Sequence, residues 1–432
     1  LSSNRLYTIS EQTERVVSAI DEPVHIYALM QTGSESQTVE NLLENYRRLA
    51  PDYITVTVVD PIQNPTFAQQ FTSESLSVNS VIVTNEDGSR YRVIDQYDMY
   101  EFGYTSSYQL TLRSFIGEQK LTNAISFVTA EEINNAYFLT GHQEASVSDL
   151  SYLVDYIEGE NLVVDSISLT DMDKLKQGDI LIIAAPQTDL SEDERVAIRS
   201  FLENGGYMLY LTDATCPELP GFESLLDLYG ISVDHTLVIE GNENAYYRSP
   251  AYIVPTAEDH AVTAGLTENE QVAVLPYATS LSLPAIEHDD IEAQAILTTS
   301  ADSYAKVDLN STVVEQEEGD LSGPLNVGIA LREIDMDGND AGAKIVVFGS
   351  AGFVTSSTFY GISGNTDLLL GAIRWMNGET DTVTIIGKNL MTNSLRFTST
   401  AEMYAMAGVG VFLMPVVVLA AGVVVWLKRR HL

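Results

Sequence analysis

The chain has 432 residues, of which 45% are hydrophobic, and a formal net charge of −39. With 22 lysines and arginines against 61 aspartates and glutamates, it lacks the basic patches that phosphate contacts need, which excludes nucleic acid as a partner. Its single cysteine, Cys216, excludes an internal disulfide framework and a cysteine-clustered metal site. The length and hydrophobic content predict two or more domains with cores of their own.

Residues 1–130 carry the pattern of a small α/β domain. The predicted elements run helix, strand, helix, strand, helix, strand, strand, at Glu11–Ile20, Val24–Met30, Thr38–Leu49, Tyr53–Val59, Pro65–Phe71, Ser80–Thr84 and Tyr91–Ile94. From the first strand onward this order resembles a thioredoxin-like domain. Redox chemistry would need Cys-x-x-Cys at the start of the following helix, where this chain has Gln31-Thr32-Gly33-Ser34, so that chemistry is absent.

Two segments lead out of this domain. Asp95–Tyr108 holds aromatic side chains among acids. These rings could form a stacking platform for bases or sugars, or they could cover a seam between domains. We favour the second interpretation. The helix predicted from Gly117 to Val128 connects the two domains.

Residues 131–380 repeat a strand–helix pattern. The apolar run Ile180–Ala184 is typical of a parallel strand covered on both faces, and Leu190–Glu194 indicates a capped, acid-rich helix start. The predicted strands are Ala136–Thr140, Leu162–Val164, Ile180–Ala184, Tyr207–Leu211 and Lys344–Phe348. The predicted helices are one capped by Ser148 and two at Glu192–Glu203 and Thr366–Asn377. Such repeats predict an open, doubly wound parallel sheet.

In the middle of this second domain, at about 219–340, the strand–helix pattern is less regular, and this stretch is interpreted as an insertion or an edge elaboration of the same domain. It is predicted to hold a helix at Phe222–Tyr229 and antiparallel strands within Gln271–Leu283. Residues 381–402 follow the domain as a stalk.

The first candidate site is Gly141-His142-Gln143-Glu144, at the carboxyl end of the domain's first strand. Open α/β sheets bind ligands at this edge, and a histidine with a glutamate can bind a metal or act as base and acid. No second cluster of such residues supports catalysis. We therefore expect Gly141, His142 and Glu144 to form a structural turn or a ligand or partner contact, and assign no catalytic, cofactor-binding or metal residue.

Two other motifs fail at a decisive position. Cys216 follows a strand, but Pro217 replaces the small residue that a nucleophile elbow needs, so the cysteine is expected to be an apolar filler. Glu333–Asp340 imitates the start of a calcium loop, yet the twelfth position is Lys344 where a bidentate glutamate is required. That segment is predicted to be a hairpin turn. No Gly-x-x-x-x-Gly-Lys-[Ser/Thr] is present, so the usual loop for ATP hydrolysis is missing.

Met403–Leu427 carries no charged side chain in 25 residues. A helix of this length, at about 1.5 Å per residue, is long enough to cross a hydrocarbon core of about 30 Å. The cations Lys428–Arg430 predict that residues 428–432 are cytoplasmic and that everything before the helix lies outside. The start at Leu1 leads us to expect an upstream signal or membrane helix.

The order and spacing of these segments resemble the gliding-motility-associated ABC transporter auxiliary family (GldG-like). The segments that carry the resemblance are Arg5–Ser10, Glu22–Val24, Asp60-Pro61, Tyr137–Glu144, Gly178–Pro186, Asn204–Gly206 and Val346–Ser350. It implies a membrane-anchored extracytoplasmic subunit of an ABC-2-type system beside separate permease and ATPase subunits. It also implies that the second domain has a class I glutamine amidotransferase-like (flavodoxin-like) fold without its catalytic residues.

The function expected from sequence is therefore a non-catalytic transport accessory that binds cargo or gates a permease. Its partners would be the permease, a cytosolic ATPase acting through it, and membrane lipid, with no cofactor. Two alternatives stay open: a membrane-tethered hydrolase or amidotransferase-like enzyme using His142 or Glu144, and an envelope scaffold that binds glycan or protein.

Overall fold

The computed structural model describes residues 8–104, 110–130, 133–268, 271–283, 290–378 and 388–389. These residues form a mixed α/β protein with several sheets. The larger compact unit contains residues 8–99 and 116–378, and the smaller contains strands at Tyr100–Tyr104, Leu110–Phe115 and Lys388–Asn389. The domain division at residue 130 stays a prediction.

The α-helices of the described residues are α1 Glu11–Ser18, α2 Gln37–Leu49, α3 Gly117–Thr129, α4 Ser151–Glu158, α5 Glu192–Glu203, α6 Pro220–Asp227, α7 Ala264–Glu268, α8 Gly352–Thr355 and α9 Ser363–Met376. Single 3-10 segments lie at Ala68–Gln70, Tyr97–Met99 and Leu169–Lys174. The strands are β1 Val24–Leu29, β2 Ile54–Val59, β3 Ser80–Asn85, β4 Tyr91–Ile94, β5 Tyr100–Tyr104, β6 Leu110–Phe115, β7 Asn135–Thr140, β8 Val163–Ser168, β9 Ile180–Ala184, β10 Tyr207–Leu211, β11 Ser232–Val233, β12 Leu237–Ile239, β13 Tyr252–Ile253, β14 Thr256–Ala257, β15 Leu275–Pro276, β16 Leu281–Ser282, β17 Ile291–Thr298, β18 Tyr304–Lys306, β19 Leu321–Ser322, β20 Asn326–Ile334, β21 Asp340–Phe348 and β22 Lys388–Asn389.

The first sheet has the order β2-β1-β3-β4, with β1 and β2 parallel and β3 and β4 antiparallel to their neighbours. Helices α2 and α3 pack on one face, and Tyr27, Phe67 and Phe71 cluster on the other. The predicted helix at Pro65–Phe71 is wrong: only the 3-10 turn at Ala68–Gln70 forms. The aromatic rings of Phe67 and Phe71 are held by packing against Tyr27 rather than by a regular helix.

Helix α3 packs against the first sheet and against helices α1 and α2. Its buried Glu118 accepts hydrogen bonds from the Ser10 backbone and from Thr13 Oγ1, both in or next to α1. The Tyr46 hydroxyl of α2 lies 2.6 Å from Thr122 Oγ1 of α3. These buried bonds fix three helices against each other, because each polar group has lost its water on burial and needs its partner in place of it.

The main sheet places β8, β7, β9, β10 and β21 side by side and parallel, and β20 pairs antiparallel with β21. Helices α4 and α9 contribute to the core on one face, and α5 and α6 to the core on the other. This arrangement follows from the apolar runs of the central strands, which need cover on both faces. The hairpin predicted around Glu333–Asp340 is confirmed.

Two predicted details of this domain are wrong. The helix predicted with Ser148 as its cap begins at Ser151, and a local turn in which Ser146 donates to the Asp149 carboxylate precedes it. The alternation in Gln271–Leu283 yields only the two-residue strands β15 and β16 among its residues. Conversely, the strand β17 was not predicted.

Val262 and Val272–Val274 lie close against α9. A Cβ at Gly364 would lie 2.1 Å from the Val272 carbonyl oxygen, and one at Gly371 would lie 2.0 Å from that of Val262. The two glycines are seven residues apart and share one helix face, so the backbone can pass there. Asn365 fixes the same contact by accepting a 2.7 Å hydrogen bond from Val274 N.

Within the described residues, no helix combines the length and apolar character required to cross a bilayer. Two predicted segments lie outside the described residues. One is the stalk at 381–402, of which only Lys388–Asn389 is described, and the other is the membrane segment Met403–Leu427 with its tail at 428–432.

Candidate functional site

The parallel strands β7, β9, β10 and β21 end at one edge of the main sheet. The loops that start there are 141–150, 185–191, 212–219 and 349–351. Side chains far apart in sequence therefore meet at this carboxyl edge, which is where open α/β sheets bind ligands.

The loop after β7 turns sharply at Gly141, with φ of 129°, and at Gln143, with φ of 60°. This turn brings Glu144 back toward His142, so that Glu144 Oε2 accepts a 2.7 Å hydrogen bond from the His142 backbone N–H. Glu144 Oε1 lies 3.1 Å from His142 Nδ1. His142 is only 5% exposed and the Glu144 side chain 2%, whereas Gly141 and Gln143 are exposed.

A second carboxylate, Glu194, lies 3.5 Å from the opposite ring nitrogen, His142 Nε2. It is held there by the capping box of α5, in which Glu194 Oε2 accepts a 2.7 Å bond from Ser191 N. Hydrogen bonds from Ser191, and then the nearby His142, hold the pKa of Glu194 below its usual value. The His142 ring also meets the edge of Phe222, with ring centroids 5.5 Å apart.

This geometry limits the chemistry of His142. A general base needs a ring nitrogen that a substrate can reach. Nδ1 faces the buried carboxylate of Glu144, and Nε2 faces that of Glu194, whose side chain is 31% exposed, so a substrate would have to displace Glu194 to reach the ring. Metal binding is equally unsuited, because the two carboxylates lie on opposite sides of the ring and cannot converge with one nitrogen on an ion. Indeed, the described part of the chain contains no group of three or more His, Cys, Asp or Glu arranged to hold a metal ion.

The same histidine joins two loops through its backbone. The His142 carbonyl accepts hydrogen bonds from Gln187 N at 2.8 Å and Thr188 N at 3.1 Å. Gln187 Nε2 lies 3.8 Å from the Cys216 sulfur, so the loops after β7, β9 and β10 are in contact. Burial, followed by the charge of Asp213, raises the pKa of the Cys216 thiol, which is the opposite of what activates a nucleophile.

A tyrosine pair lies farther along the same edge. The Tyr277 carbonyl accepts a bond from Ala214 N, and Ser350 Oγ donates to the neighbouring Pro276 carbonyl, so this segment lies over the ends of β10 and β21. The hydroxyl oxygens of Tyr252 and Tyr277 are 3.2 Å apart. The hydrogen bond to Tyr252, followed by partial burial, raises the pKa of the Tyr277 hydroxyl. Tyr277 is nevertheless 44% exposed.

Comparison with known proteins assigns this sheet to a family. A family model described as an ABC-type uncharacterized transport system matches residues 134–372, more than half of the chain. The chain belongs to this ABC transport auxiliary family. A model described as a domain of unknown function (DUF7088) matches residues 3–97.

No curated protein matches the chain. Among solved structures, the mmIFT52 N-terminal domain is similar at 17% identity and a TM-score of 0.42, over 56% of this chain and 97% of that one. A likeness at that TM-score supports no conclusion about fold or function. Membership of the auxiliary family is therefore the similarity that bears on function.

The calcium-like segment of this auxiliary protein is a tight turn. Asp335 Oδ1 accepts hydrogen bonds from the backbone of Asp337 and Asn339, both at 2.9 Å, so this oxygen serves the turn. Lys344 forms a 2.7 Å ion pair with Asp340 inside the hairpin. Asp335 thus stabilises the turn, and Lys344 lies in an ion pair at the position where a calcium loop requires a glutamate.

The structure brings together the predicted Gly141, His142 and Glu144 and places only Gly141 of them at the surface. Their role as a ligand or partner contact stays a prediction. Sequence reasoning missed Glu194 and Tyr277, which lie 52 and 135 residues beyond His142 in the chain. The capping box at Ser191 was recognised, and it is the signal that could have directed attention to Glu194.

Proposed function

We propose that this chain is a non-catalytic accessory subunit of an ABC-2-type transporter of the GldG-like kind, and that the carboxyl edge of its main sheet contacts the permease or the cargo. Membership of the ABC transport auxiliary family supports the transport role. The observation that carries the non-catalytic part is the His142 ring, whose two nitrogens face Glu144 and Glu194. Residues paired in this way stabilise loops, and the exposed Gln143 and Tyr277 are left for recognition.

The proposal places the protein in the cell membrane, with the body outside the cytoplasm and the carboxyl terminus inside. The support is the uncharged segment Met403–Leu427 followed by Lys428–Arg430. An ectodomain with so many acids would be repelled by anionic lipid, so lipid is contacted through the anchor. The permease would connect it to a cytosolic ATPase.

The fold assignments belong to the same proposal. The sheet order β2-β1-β3-β4 supports a thioredoxin-like first domain, and the parallel sheet with helices on both faces supports a class I amidotransferase-like second domain. Each would be a binding version of an enzyme fold. Gln31–Ser34 replaces the redox cysteines, and Cys216 has a raised pKa rather than an activated thiol.

Affinity purification from native membranes tests this function. Tagged chain solubilised in mild detergent is expected to carry a permease and an ATPase subunit with it. Tyr277→Ala is expected to weaken that association, while Tyr97→Ala, which removes a 64% exposed tyrosine of the first domain, is the matched control. Purification without either subunit would refute the transport role, and protection of the body from protease added to intact cells would refute the placement.

A further inference from the structure

The outer edge of β2 is an open strand edge. β2 pairs with β1 on one side, and within the described residues no strand pairs with its other side. Val24 N donates to the Tyr53 carbonyl and Met30 N to that of Val59, so the odd-numbered residues of β2 direct their backbone groups at β1. Because these directions alternate along a strand, Val56 and Val58 direct their N–H and C=O groups outward.

This edge is uncharged and lacks the usual protection against unwanted strand pairing. Natural edge strands usually carry lysine, proline or a bulge against unwanted pairing. β2 reads Ile-Thr-Val-Thr-Val-Val, without a charge, and Val58 is 62% exposed. Leaving such a strand open has a cost in aggregation, which suggests that a specific chain covers it.

A cleft of about 300 Å³ lies between β2 and α2. Its floor is formed by the buried Ala28, Met30 and Leu43, and Val56 and Val58 form the wall along the edge. A strand added beside β2 would direct every second side chain toward α2, into this cleft.

The charge of the cleft indicates the occupant. Its charged lining residues are Glu40 and Glu44 of α2. Glu44 already forms ion pairs with Arg47 and Arg48, whereas Glu40 is exposed and accepts a 3.3 Å hydrogen bond from Gln37. A second copy of this chain is disfavoured, since two bodies of net charge −39 repel each other.

We propose that the edge of β2 and the β2–α2 cleft bind an extended segment of another polypeptide by strand addition. The segment pairs with the backbone of Val56 and Val58, places apolar side chains in the cleft and sets a lysine or arginine beside Glu40. This inference concerns a surface outside the carboxyl edge and does not depend on the transport role.

The test uses the full chain in detergent and a phage-displayed library of random decapeptides. Selected peptides are expected to alternate apolar residues and to carry a basic residue. A fluorescein-labelled selected peptide is then titrated by fluorescence polarisation against native chain and variants. Val58→Pro removes an outward N–H that the β1–β2 ladder does not use. It should raise the Kd about tenfold, because one hydrogen bond is lost and the peptide carbonyl that accepted it is left desolvated and unpaired.

Paired lysine variants separate binding from folding. Val58→Lys should abolish binding, and Thr57→Lys, at the adjacent exposed position on the opposite face, should leave the Kd unchanged. Glu40→Lys should raise the Kd severalfold at low salt and by less at high salt. Circular dichroism confirms that each variant is folded.

Several results would overturn the inference. One is selection that enriches no peptide. Another is a peptide that binds Val58→Pro as tightly as the native chain, or whose binding is lost in Tyr277→Ala instead. A third is a native dimer, measured by light scattering, that Val58→Pro converts to monomer, because the occupant would then be a second copy.

Discussion

The carboxyl edge of the main sheet and the outer edge of β2 differ in how their polar groups are satisfied. At the carboxyl edge, Glu144 and Glu194 lie beside the two nitrogens of His142, and the His142 carbonyl accepts hydrogen bonds from the next loop, so these groups have partners within the protein. At the β2 edge, backbone groups beside Val56 and Val58 face outward without a strand partner in the described residues.

The difference separates two kinds of evidence for function. A histidine next to a glutamate suggests chemistry when read in sequence, yet here the pair stabilises a turn. A run of uncharged β-branched residues suggests only a strand, yet it marks the more open binding surface. Exposure and hydrogen-bond pairing, rather than residue type, therefore decide which region can bind.

The largest expected effect tests the stabilising role of Glu144. Glu144→Ala leaves the buried His142 backbone N–H and ring Nδ1 without their acceptor, and should lower the free energy of unfolding by about 2–3 kcal/mol. Urea denaturation followed by circular dichroism measures this loss.

Gln143→Ala is the control for Glu144→Ala. It changes an exposed side chain in the same turn and should alter stability by no more than about 0.5 kcal/mol. If Glu144→Ala were as stable as the native chain, the carboxyl edge would not be held by these pairs, and the contrast with β2 would fail.

The next largest effect is expected on the rate at which the Cys216 thiol is alkylated. Because burial raises its pKa, alkylation by iodoacetamide at neutral pH should be about tenfold slower in the folded chain than in urea. As the chain has a single cysteine, the labelled fraction in intact mass spectrometry reports this site alone. Faster labelling in the folded chain would indicate an activated thiol and favour the amidotransferase-like alternative.

Glu194 should make a smaller, pH-dependent contribution. Its pKa is lowered in the folded protein, so its stabilising effect is present above the ordinary value of 4.5 and is lost as pH falls through the folded pKa. Glu194→Gln should therefore cost about 0.5 kcal/mol at pH 7, after solvent screening, and nothing in strong acid.

Urea titrations of the native chain and Glu194→Gln across this pH range measure the effect. Asp193→Asn, a change in the same helical turn, controls for the loss of one negative charge. A difference between native and Glu194→Gln that persists unchanged in acid would show that the carboxylate is not what stabilises the loop.

Much of the fold could be predicted because it is encoded locally. The run Ile180–Ala184 and the capped start at Ser191 each contain their own signal, and both were located correctly. Strand β17, with the sequence Ile-Glu-Ala-Gln-Ala-Ile-Leu-Thr, was missed because alanines make its apolar face weak and its pairing with β20 is distant in sequence.

The sites were harder to predict, since they depend on which elements become neighbours. The sequence of β2 predicts a strand but not its position at the edge of the sheet. The approach of Glu194 to His142 depends on the tertiary packing that brings the start of α5 to the loop after β7. Alternation identifies a strand's faces, whereas sheet order is set by tertiary contacts.

The smallest expected effect is at Val58. Val58→Ala should change the free energy of unfolding by less than about 0.5 kcal/mol, because 62% of the residue is already in water. The adjacent Val59, which is 9% exposed, is the matched control, and Val59→Ala should cost about 1–2 kcal/mol in lost burial. The comparison is sharp because residue type, strand and substitution are the same and only the facing direction differs. Equal losses at the two positions would mean that another part of the protein covers the β2 edge, and that edge would then be closed to a partner.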